Sequence, residues 1–250
     1  MGRQFGSSIY AERTAGIPVN VFPFTMACWY LPHTVSSNRA LMSLRLDVSN
    51  NYSISTNGSS LILTSRRNDA EVTALAASFL KVGRWAHCCG IFESITSRTV
   101  IGNGRTIDTD TTSQAQITPT IFHLGKAYSA GEIIGGGSIA HAAIWDVALT
   151  STEIIQLANG LYPWEIRYSN LKAYWPLNEF GTNAEFLHNR TPYNPTSNPA
   201  YSLTLVGTSL YSADPPMNTV KKPLKYFFMT AIPAIHRGTR GLMRGIRTGI

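Results

Sequence analysis

Two carboxylates at close spacing are the arrangement that glycoside hydrolysis requires, and Asp108 and Asp110 stand two residues apart in this sequence. In a β-strand this spacing would place both side chains on one face. The threonines and turn residues around them favour a loop, in which both carboxylates are solvated. The sequence therefore predicts no catalytic pair and no enzymatic activity.

The sequence also lacks the patterns of metal and phosphate sites. The six histidines do not have the spacing of metal ligands. The glycines at 135–137 are not followed by the lysine of a phosphate-binding loop, and they predict a turn. An odd number of cysteines, two of them adjacent, does not form a disulfide framework, so we expect buried free thiols at Cys28, Cys88 and Cys89. We therefore predict no catalytic residue, no metal and no cofactor.

Positive charge is concentrated at the C-terminal end of the sequence. The net charge of +7 arises from 21 basic and 14 acidic residues. Seven of the basic residues and none of the acidic ones follow Met217, so residues 1–216 carry equal numbers of both. We interpret residues 217–250 as a basic docking arm. Its candidate contact residues are Lys221, Lys222, Lys225, Tyr226, Phe227, Phe228, Arg237, Arg240, Arg244 and Arg247.

The composition of this arm indicates a segment that becomes ordered on a partner. Its arginines would line one face of a helix, but four glycines among them oppose a helix. The apolar stretch at 225–235 is too short to span a bilayer. We expect a partner surface with acidic or carbonyl-rich grooves, most simply another protein. Nucleic acid and a membrane surface are less favoured alternatives, since the aromatic residues are clustered and not interleaved with the basic ones.

Most of the remaining sequence predicts short β-strands joined by turns. Residues 41–48 alternate apolar and polar side chains, as in a half-buried strand. Asn57-Gly58 marks a hairpin, and Asn50-Asn51 is predicted as the turn before it. Roughly a dozen such strands at regular spacing are typical of a sandwich or barrel. In the strand that follows the glycines at 135–137, Ile139, Ala143 and Trp145 would share one face with His141.

A single short helix is well signalled by the residues at its two ends. Thr150 and Glu153 have the spacing of a capping box at the N-terminus. Leu149 and Ile154 are placed to form the hydrophobic staple that accompanies such a box. Gly160 supplies the left-handed residue that commonly follows a helix. A lone helix in a strand-rich chain predicts a cover or a crossover.

Four stretches in chain order resemble the laminin-G-like branch of the concanavalin A-like lectin jelly rolls. Residues 22–32 are similar to an early strand of that family, and residues 83–92 carry its Gly-x-Trp-x-His pattern. Residues 137–160 combine Gly-x-Ile, Ile-Trp-Asp, Ala-Leu-Thr and Glu-Ile in the family's order. Residues 171–178 are similar to its closing strand. Together the four stretches extend the resemblance over roughly residues 1–216.

The resemblance implies an all-β fold, an antiparallel jelly-roll β-sandwich with one short helix and an extended C-terminal arm. We expect the sandwich at 1–180, a loop-rich closing segment with one strand at 181–216, and the docking arm at 217–250. The closing strand at 171–177 should return beside the first strand. Family members often bind calcium, but the corresponding early stretch, residues 6–10, has no acidic residue. The fold hosts lectins, adhesins, enzymes and structural modules, so it does not decide function.

The first residues and the Phe-Thr-Met-Ala-x-Trp pattern at 24–29 also resemble bacteriophage-encoded members of the family. The sequence enters the first strand without an apolar signal segment, so we expect synthesis in the host cytoplasm and a location in the virion. We interpret the chain as a non-catalytic phage structural protein, a capsid decoration or minor capsid protein. The arm would bind other virion proteins, with further copies of the chain in the assembly.

Two alternatives to this hypothesis remain open from the sequence. One is a head or tail fibre subunit that recognises the host. The other is a soluble carbohydrate-binding module, for which the arm would be dispensable. Loop aromatic residues are the candidates for binding a glycan, but the sequence does not locate which of them would do so.

Overall fold

The computed structural model describes residues 2–6, 9–36, 38–126, 137–177, 186–191, 194–207 and 211–217. These residues belong to Met1–Asn218, the first of two units into which the chain divides. The second unit, Thr219–Ile250, lies outside the described residues.

The described residues form strands, one α-helix (α1, Ser151–Ala158) and two 3-10 helices (Pro163–Glu165 and Tyr168–Asn170). The strands are β1 (Gly2–Phe5), β2 (Tyr10–Arg13), β3 (Phe24–Pro32), β4 (Arg39–Asp47), β5 (Asn50–Asn57), β6 (Ser60–Arg67), β7 (Ala70–Ala76), β8 (Ala86–Ser94), β9 (Ser97–Gly102), β10 (Thr106–Asp110), β11 (Ile121–Leu124), β12 (Gly137–Trp145), β13 (Leu171–Trp175), β14 (Phe186–Thr191), β15 (Asn194–Val206) and β16 (Tyr211–Ser212).

Two sheets, in which every recorded strand pair is antiparallel, pack as a sandwich. Sheet 1 has the order β10-β9-β8-β3-β12-β1-β16, with β13 also paired to β12. Sheet 2 has the order β14-β15-β2-β11-β4-β5-β6-β7. This arrangement confirms the predicted all-β jelly-roll sandwich with one short helix. It also shows three strands between residues 181 and 216, where the sequence predicted one.

Aromatic side chains hold the two sheets together. Phe24 and Phe92 of sheet 1 stack with their ring centroids 4.8 Å apart, and Tyr52 of sheet 2 lies 5.0 Å from Phe92. Towards the other end of the core, Phe122 of sheet 2 stacks on Trp175 of sheet 1 at 4.8 Å. All five side chains are buried. Such pairs contribute about 0.5–1.5 kcal/mol each beyond the apolar area that they bury.

Sheet 1 buries its outer face as well, against α1 and the chain that follows it. Trp145 is fully buried in this second cluster, and its indole Nε1 donates a hydrogen bond to the Ile166 carbonyl at 2.9 Å. Ile154 and Leu157 are the two buried residues of α1 and pack into the same cluster. The helix is therefore a cover on sheet 1, as its isolation in the sequence indicated.

Both ends of α1 have the geometry that the sequence predicted. The Thr150 N–H donates to Glu153 Oε2 at 2.8 Å, and the Glu153 N–H donates to Thr150 Oγ1 at 3.4 Å. These two bonds form the capping box. At the other end Gly160 has a φ of 90°, and the Leu161 N–H reaches back to the Gln156 carbonyl. That reverse bond completes a Schellman motif.

A β-bulge divides β12 into two halves with different partners. The register against β3 shifts between Ala140 and Ala143, and His141 in between has a φ of 49°. Before the bulge β12 pairs with β1, and after it β12 pairs with β13. The expectation that the closing strand lies beside the first strand is therefore wrong. The two strands are instead successive partners of β12.

The bulge also changes which face each side chain of β12 occupies. Ile139 lies in the core between the sheets, whereas Ala143 and Trp145 lie in the outer cluster. The predicted common face for these three residues is wrong, because an extra residue in a strand inverts the alternation beyond it. The sequence-based prediction assumed strict alternation of side chains along an unbroken strand.

The three cysteines are free and fully buried, as predicted. Cys28 and Cys88 lie opposite each other on β3 and β8 and face the core between the sheets. Cys89 faces the outer cluster under α1. Burial raises the pKa of all three thiols, so they are protonated at neutral pH.

Replacement of Gly137 should reveal how closely β12 packs on β3. A Cβ at Gly137 would lie 2.4 Å from a ring carbon of Tyr30, a side chain that is itself buried. Gly137→Ala should lower the free energy of unfolding by about 1–3 kcal/mol through overpacking, measured by urea titration. Gly6→Ala, whose Cβ would meet its nearest atom at an ordinary 3.6 Å, is the control. Equal stability of the two variants would contradict this account of the packing.

Candidate functional site

The two carboxylates with catalytic spacing have structural roles. Asp108 and Asp110 lie on β10, so the predicted loop is wrong. Asp108 Oδ2 accepts a hydrogen bond from the Leu75 N–H at 2.7 Å, and Asp110 pairs with the buried Arg98 guanidinium. Burial acts to raise the pKa of Asp110, but hydrogen bonds from Thr112 and Arg98 outweigh it and hold the pKa below its usual value. Both carboxylates therefore stabilise contacts of β10 with neighbouring parts of the chain.

The outer face of sheet 2 carries a row of polar side chains. The alternate residues on these strands point into the core, so the row points away from it. Paired strands place its members opposite one another across six neighbouring strands. Taken from β2 to β7 the row consists of Glu12, His123, Ser43, Ser53, Thr64 and Thr73. We call this row the hydroxyl row.

A histidine–carboxylate pair stands at one end of the hydroxyl row. His123 is fully buried, and its Nε2 lies 3.3 Å from Glu12 Oε2, which is partly exposed. The ring of Tyr10 meets His123 edge-on at 5.7 Å, and the Lys126 ammonium lies 3.9 Å from the centroid of Tyr10. Charged, aromatic and hydroxyl groups thus meet on one face.

Serine, histidine and glutamate on neighbouring strands have the residue types of a hydrolytic triad. The geometry of Ser43 does not support that chemistry. Its hydroxyl donates to the Lys126 carbonyl at 2.8 Å, and its side chain is fully buried. A nucleophilic hydroxyl must instead donate to its base and reach the substrate. The serine, histidine and glutamate are therefore suited to hydrogen bonding and not to nucleophilic catalysis.

A second row lies on the same face, two residues away from the hydroxyl row on each strand. Arg45, Asn51 and Arg66 stand opposite one another on β4, β5 and β6. We call these three residues the arginine–asparagine row. The sequence predicted a turn at Asn50-Asn51, but the turn occupies residues 48–49 and Asn51 is a buried strand residue. The amide of Asn51 therefore lies on the outer face of sheet 2 and not in a turn.

Aromatic residues surround the bulge of β12 on the other sheet. His141 Nδ1 lies 2.5 Å from the Tyr174 hydroxyl, and the ring of Tyr162 meets His141 edge-on at 5.5 Å. Tyr162 stacks on Trp164 with ring centroids 4.2 Å apart. Burial lowers the pKa of His141 to about 4. These rings contact one another beside the bulge, and Tyr162 and Trp164 remain partly exposed.

The predicted docking residues cannot be placed on this structure. Lys221 through Arg247 lie outside the described residues. The two polar rows were not predicted as sites. The alternation at 41–48 gave Ser43 and Arg45 a common face, but the strand register that brings Asn51 and Arg66 beside Arg45 was not available from the sequence.

Two antiparallel sheets packed face to face form a jelly-roll β-sandwich. A family model described as the concanavalin A-like lectin/glucanases superfamily, of the laminin G type, matches residues 5–155. The chain belongs to this superfamily. A comparison with curated proteins finds no match.

Solved structures show the same fold at low sequence identity. A Bacteroides ovatus protein provisionally assigned to carbohydrate binding is 15% identical with a TM-score of 0.65, over 87% of this chain and 61% of its own. The sialidase carbohydrate-binding module of Ruminococcus gnavus is 15% identical with a TM-score of 0.48, over 54% and 82%. A heptameric pentraxin from Limulus polyphemus is 15% identical with a TM-score of 0.45, over 63% and 76%.

The chain spans less than two thirds of some of these relatives. It covers 61% of the Bacteroides protein and 37% of the receptor binding domain of botulinum neurotoxin type G. In the described residues, no group of histidine, cysteine or acidic side chains is arranged to hold a metal ion. No α-helix in the described part of the chain is long and apolar enough to cross a membrane.

Two buried histidines should make stability depend on pH. Burial lowers the pKa of His87 to about 3 and that of His141 to about 4, from an ordinary 6.5. Between pH 6.5 and 4 the unfolded chain therefore binds more protons, and stability falls as the pH falls through this window. The expected loss at pH 5 is on the order of 2 kcal/mol per histidine, measured by urea titration at pH 7 and pH 5.

His141→Asn tests one half of this dependence. Asparagine tolerates the left-handed backbone of the bulge, so the variant should fold and lose about half of the difference between pH 7 and pH 5. The exposed His33, replaced by asparagine, is the control and should leave the difference unchanged. An unaltered difference in His141→Asn would rule out His141 as its source.

Proposed function

We propose that this chain is a non-catalytic, glycan-binding structural protein of a bacteriophage virion. The observation that carries the glycan-binding part is the contrast between the two outer faces of the sandwich. Much of the outer face of sheet 1 is apolar and lies under α1, whereas the outer face of sheet 2 bears hydroxyl, amide, imidazole and charged side chains. Sugars are recognised by such polar groups because they match hydroxyl donors and acceptors.

The hydroxyl row supports a binding role over a catalytic one. Ser53 and Thr64 sit at its centre and are 4% and 7% exposed. Fixed groups of this kind lose little freedom when a ligand binds. Asp108 and Asp110 have the spacing of a catalytic pair, and both are engaged in structural hydrogen bonds. Asp69 and Glu71 are also two residues apart, and both pair with Arg66.

The virion part of the proposal rests on the sequence of residues 217–250 and on the resemblance to phage-encoded relatives. An arm with seven basic residues and no acidic one is suited to acidic or carbonyl-rich grooves of a protein shell. We favour a capsid decoration or minor capsid protein, with the sandwich displayed outwards and the arm bound to the shell. A fibre subunit is the second choice within the same class.

Sedimentation with bare capsids tests the role of the arm. The full chain should sediment with capsids, and a chain truncated after residue 216 should stay in the supernatant, because the basic residues that contact the shell are lost. Charge complementarity also predicts that raised salt weakens the interaction. A matched chain with Lys221, Lys222 and Lys225 replaced by glutamine should show intermediate binding. Equal sedimentation of the full and truncated chains would refute an anchoring arm, and binding by neither would argue against the capsid.

A glycan array with the full chain tests the binding surface. We expect binding to at least one class of glycan, weakened several-fold by Ser53→Ala, because one hydrogen bond contributes about 0.5–1.5 kcal/mol. Ser169→Ala, in the exposed 3-10 helix Tyr168–Asn170 that leads into sheet 1, is the control. Binding that Ser53→Ala and Ser169→Ala affect equally would place the site elsewhere. A chain that binds no glycan would refute the glycan-binding proposal.

A further inference from the structure

We propose that β10 is an interface for a second copy of this chain. The two β10 strands would pair antiparallel, with Ile107 of one copy opposite Ile107 of the other, so that sheet 1 continues from one copy into the next. This inference goes beyond the proposed function, because it depends neither on a glycan nor on a capsid.

The outer edge of β10, at one end of sheet 1, presents backbone groups to solvent. Along an antiparallel strand, successive residues form hydrogen bonds to opposite neighbours. Directly after β9, the Asn103 N–H donates to the His87 carbonyl of β8 at 2.8 Å, so the even-numbered residues of β9 bond to β10. Their partners on β10 are also even-numbered. The N–H and C=O groups of Ile107 and Thr109 therefore point to the open side, away from β9.

The strands at the other ends of the two sheets are shorter, irregular or partly occupied. β16 has two residues, and β14 shows register shifts against β15. On β7 the Leu75 N–H already donates to Asp108 at 2.7 Å. Short and irregular edge strands hinder pairing with other chains, as do proline and lysine on an edge. β10 pairs with β9 without a register shift and contains neither proline nor lysine, so its edge lacks these devices.

Exposed apolar side chains lie around this edge. Ile107 is 51% exposed and stands opposite Ile101, so it shares the outer face of sheet 1 with α1. Ile155 of α1 is 43% exposed and lies against the β9–β10 turn, where a Cβ added at Gly104 would be 3.1 Å from the Ile155 Cα. Leu75, on the neighbouring β7, is 45% exposed. A second copy on this edge would remove apolar surface from water, which favours association.

The charges of β10 favour one register between the two copies. With Ile107 opposite Ile107, Asp108 of each copy lies opposite the uncharged Thr106. With Ile107 opposite Thr109, the two Asp108 carboxylates would face each other, and like charges directly opposite destabilise a strand pair. Asp108 does not itself close the edge, because its hydrogen bond with the Leu75 N–H holds it towards β7. The edge is therefore self-complementary about Ile107.

Sedimentation velocity of the full chain at increasing concentration tests this interface. One short strand is a small contact, so we expect a monomer–dimer equilibrium with a dissociation constant in the micromolar range. The chain should be mostly monomeric at about 1 µM and mostly dimeric at about 100 µM. A chain that stays monomeric over this range would overturn the inference.

Ile107→Lys is the decisive variant. The side chain is exposed, so lysine should leave the fold intact, but two like charges would then meet at the centre of the dimer. The dissociation constant should rise about tenfold or more. Val82→Lys is the matched control, since Val82 is 55% exposed and lies between β7 and β8. A dimer that responds equally to the two variants would place the interface elsewhere and overturn the inference.

Cysteine crosslinking tests the register in a second way. Side chains directly opposite each other on paired strands have Cβ atoms about 4.5–5.5 Å apart. Ile107→Cys should therefore form a covalent dimer with a short bifunctional thiol reagent, whereas Val82→Cys should not. The three native thiols are buried and should not react in the folded chain. Equal crosslinking of the two variants would contradict pairing about Ile107.

Discussion

The exclusion of water from both faces of β12 is the constraint on which the rest of this structure depends. All nine residues of the strand are buried. A strand in that position needs a sheet on one side and a cover on the other, and α1 with the chain after it supplies the cover. The bulge at His141 lets one strand pair with β1 and then with β13 while its side chains fill two separate clusters. This cover lies on sheet 1, and the polar rows lie on the outer face of sheet 2.

Much of the fold could be predicted from local chemistry. Thr150, Glu153 and Gly160 defined the helix because capping is a short-range interaction between residues a few positions apart. Hairpin turns such as Asn57-Gly58 were predicted for the same reason. The bulge was not, since the extra residue in β12 follows from the pairing of distant strands. The turn before β5 was misplaced by two residues, because Asn50 and Asn51 suit a turn and a strand equally well at the level of local preference.

The candidate site was the least predictable part of the molecule. Its residues come from strands that are far apart in sequence, and only the register of sheet 2 sets Asn51 between Arg45 and Arg66. A predicted turn at Asn51 concealed the one buried amide of the row. The most visible chemical pattern in the sequence, Asp108 and Asp110, proved to be structural. Spacing alone could not show that Arg98 and the Leu75 N–H occupy these carboxylates.

The positions of the three thiols allow the opening of this sandwich to be followed by cysteine labelling. Cys28 and Cys88 lie between the sheets, whereas Cys89 lies beneath α1. A thiol reagent reaches Cys89 when the helical cover lifts and reaches the other two when the sheets part. The order in which mass spectrometry finds the three labelled therefore reports which layer of the domain loosens first. Partial and global opening commonly differ in free energy within one domain, and here the chain carries natural reporters for each.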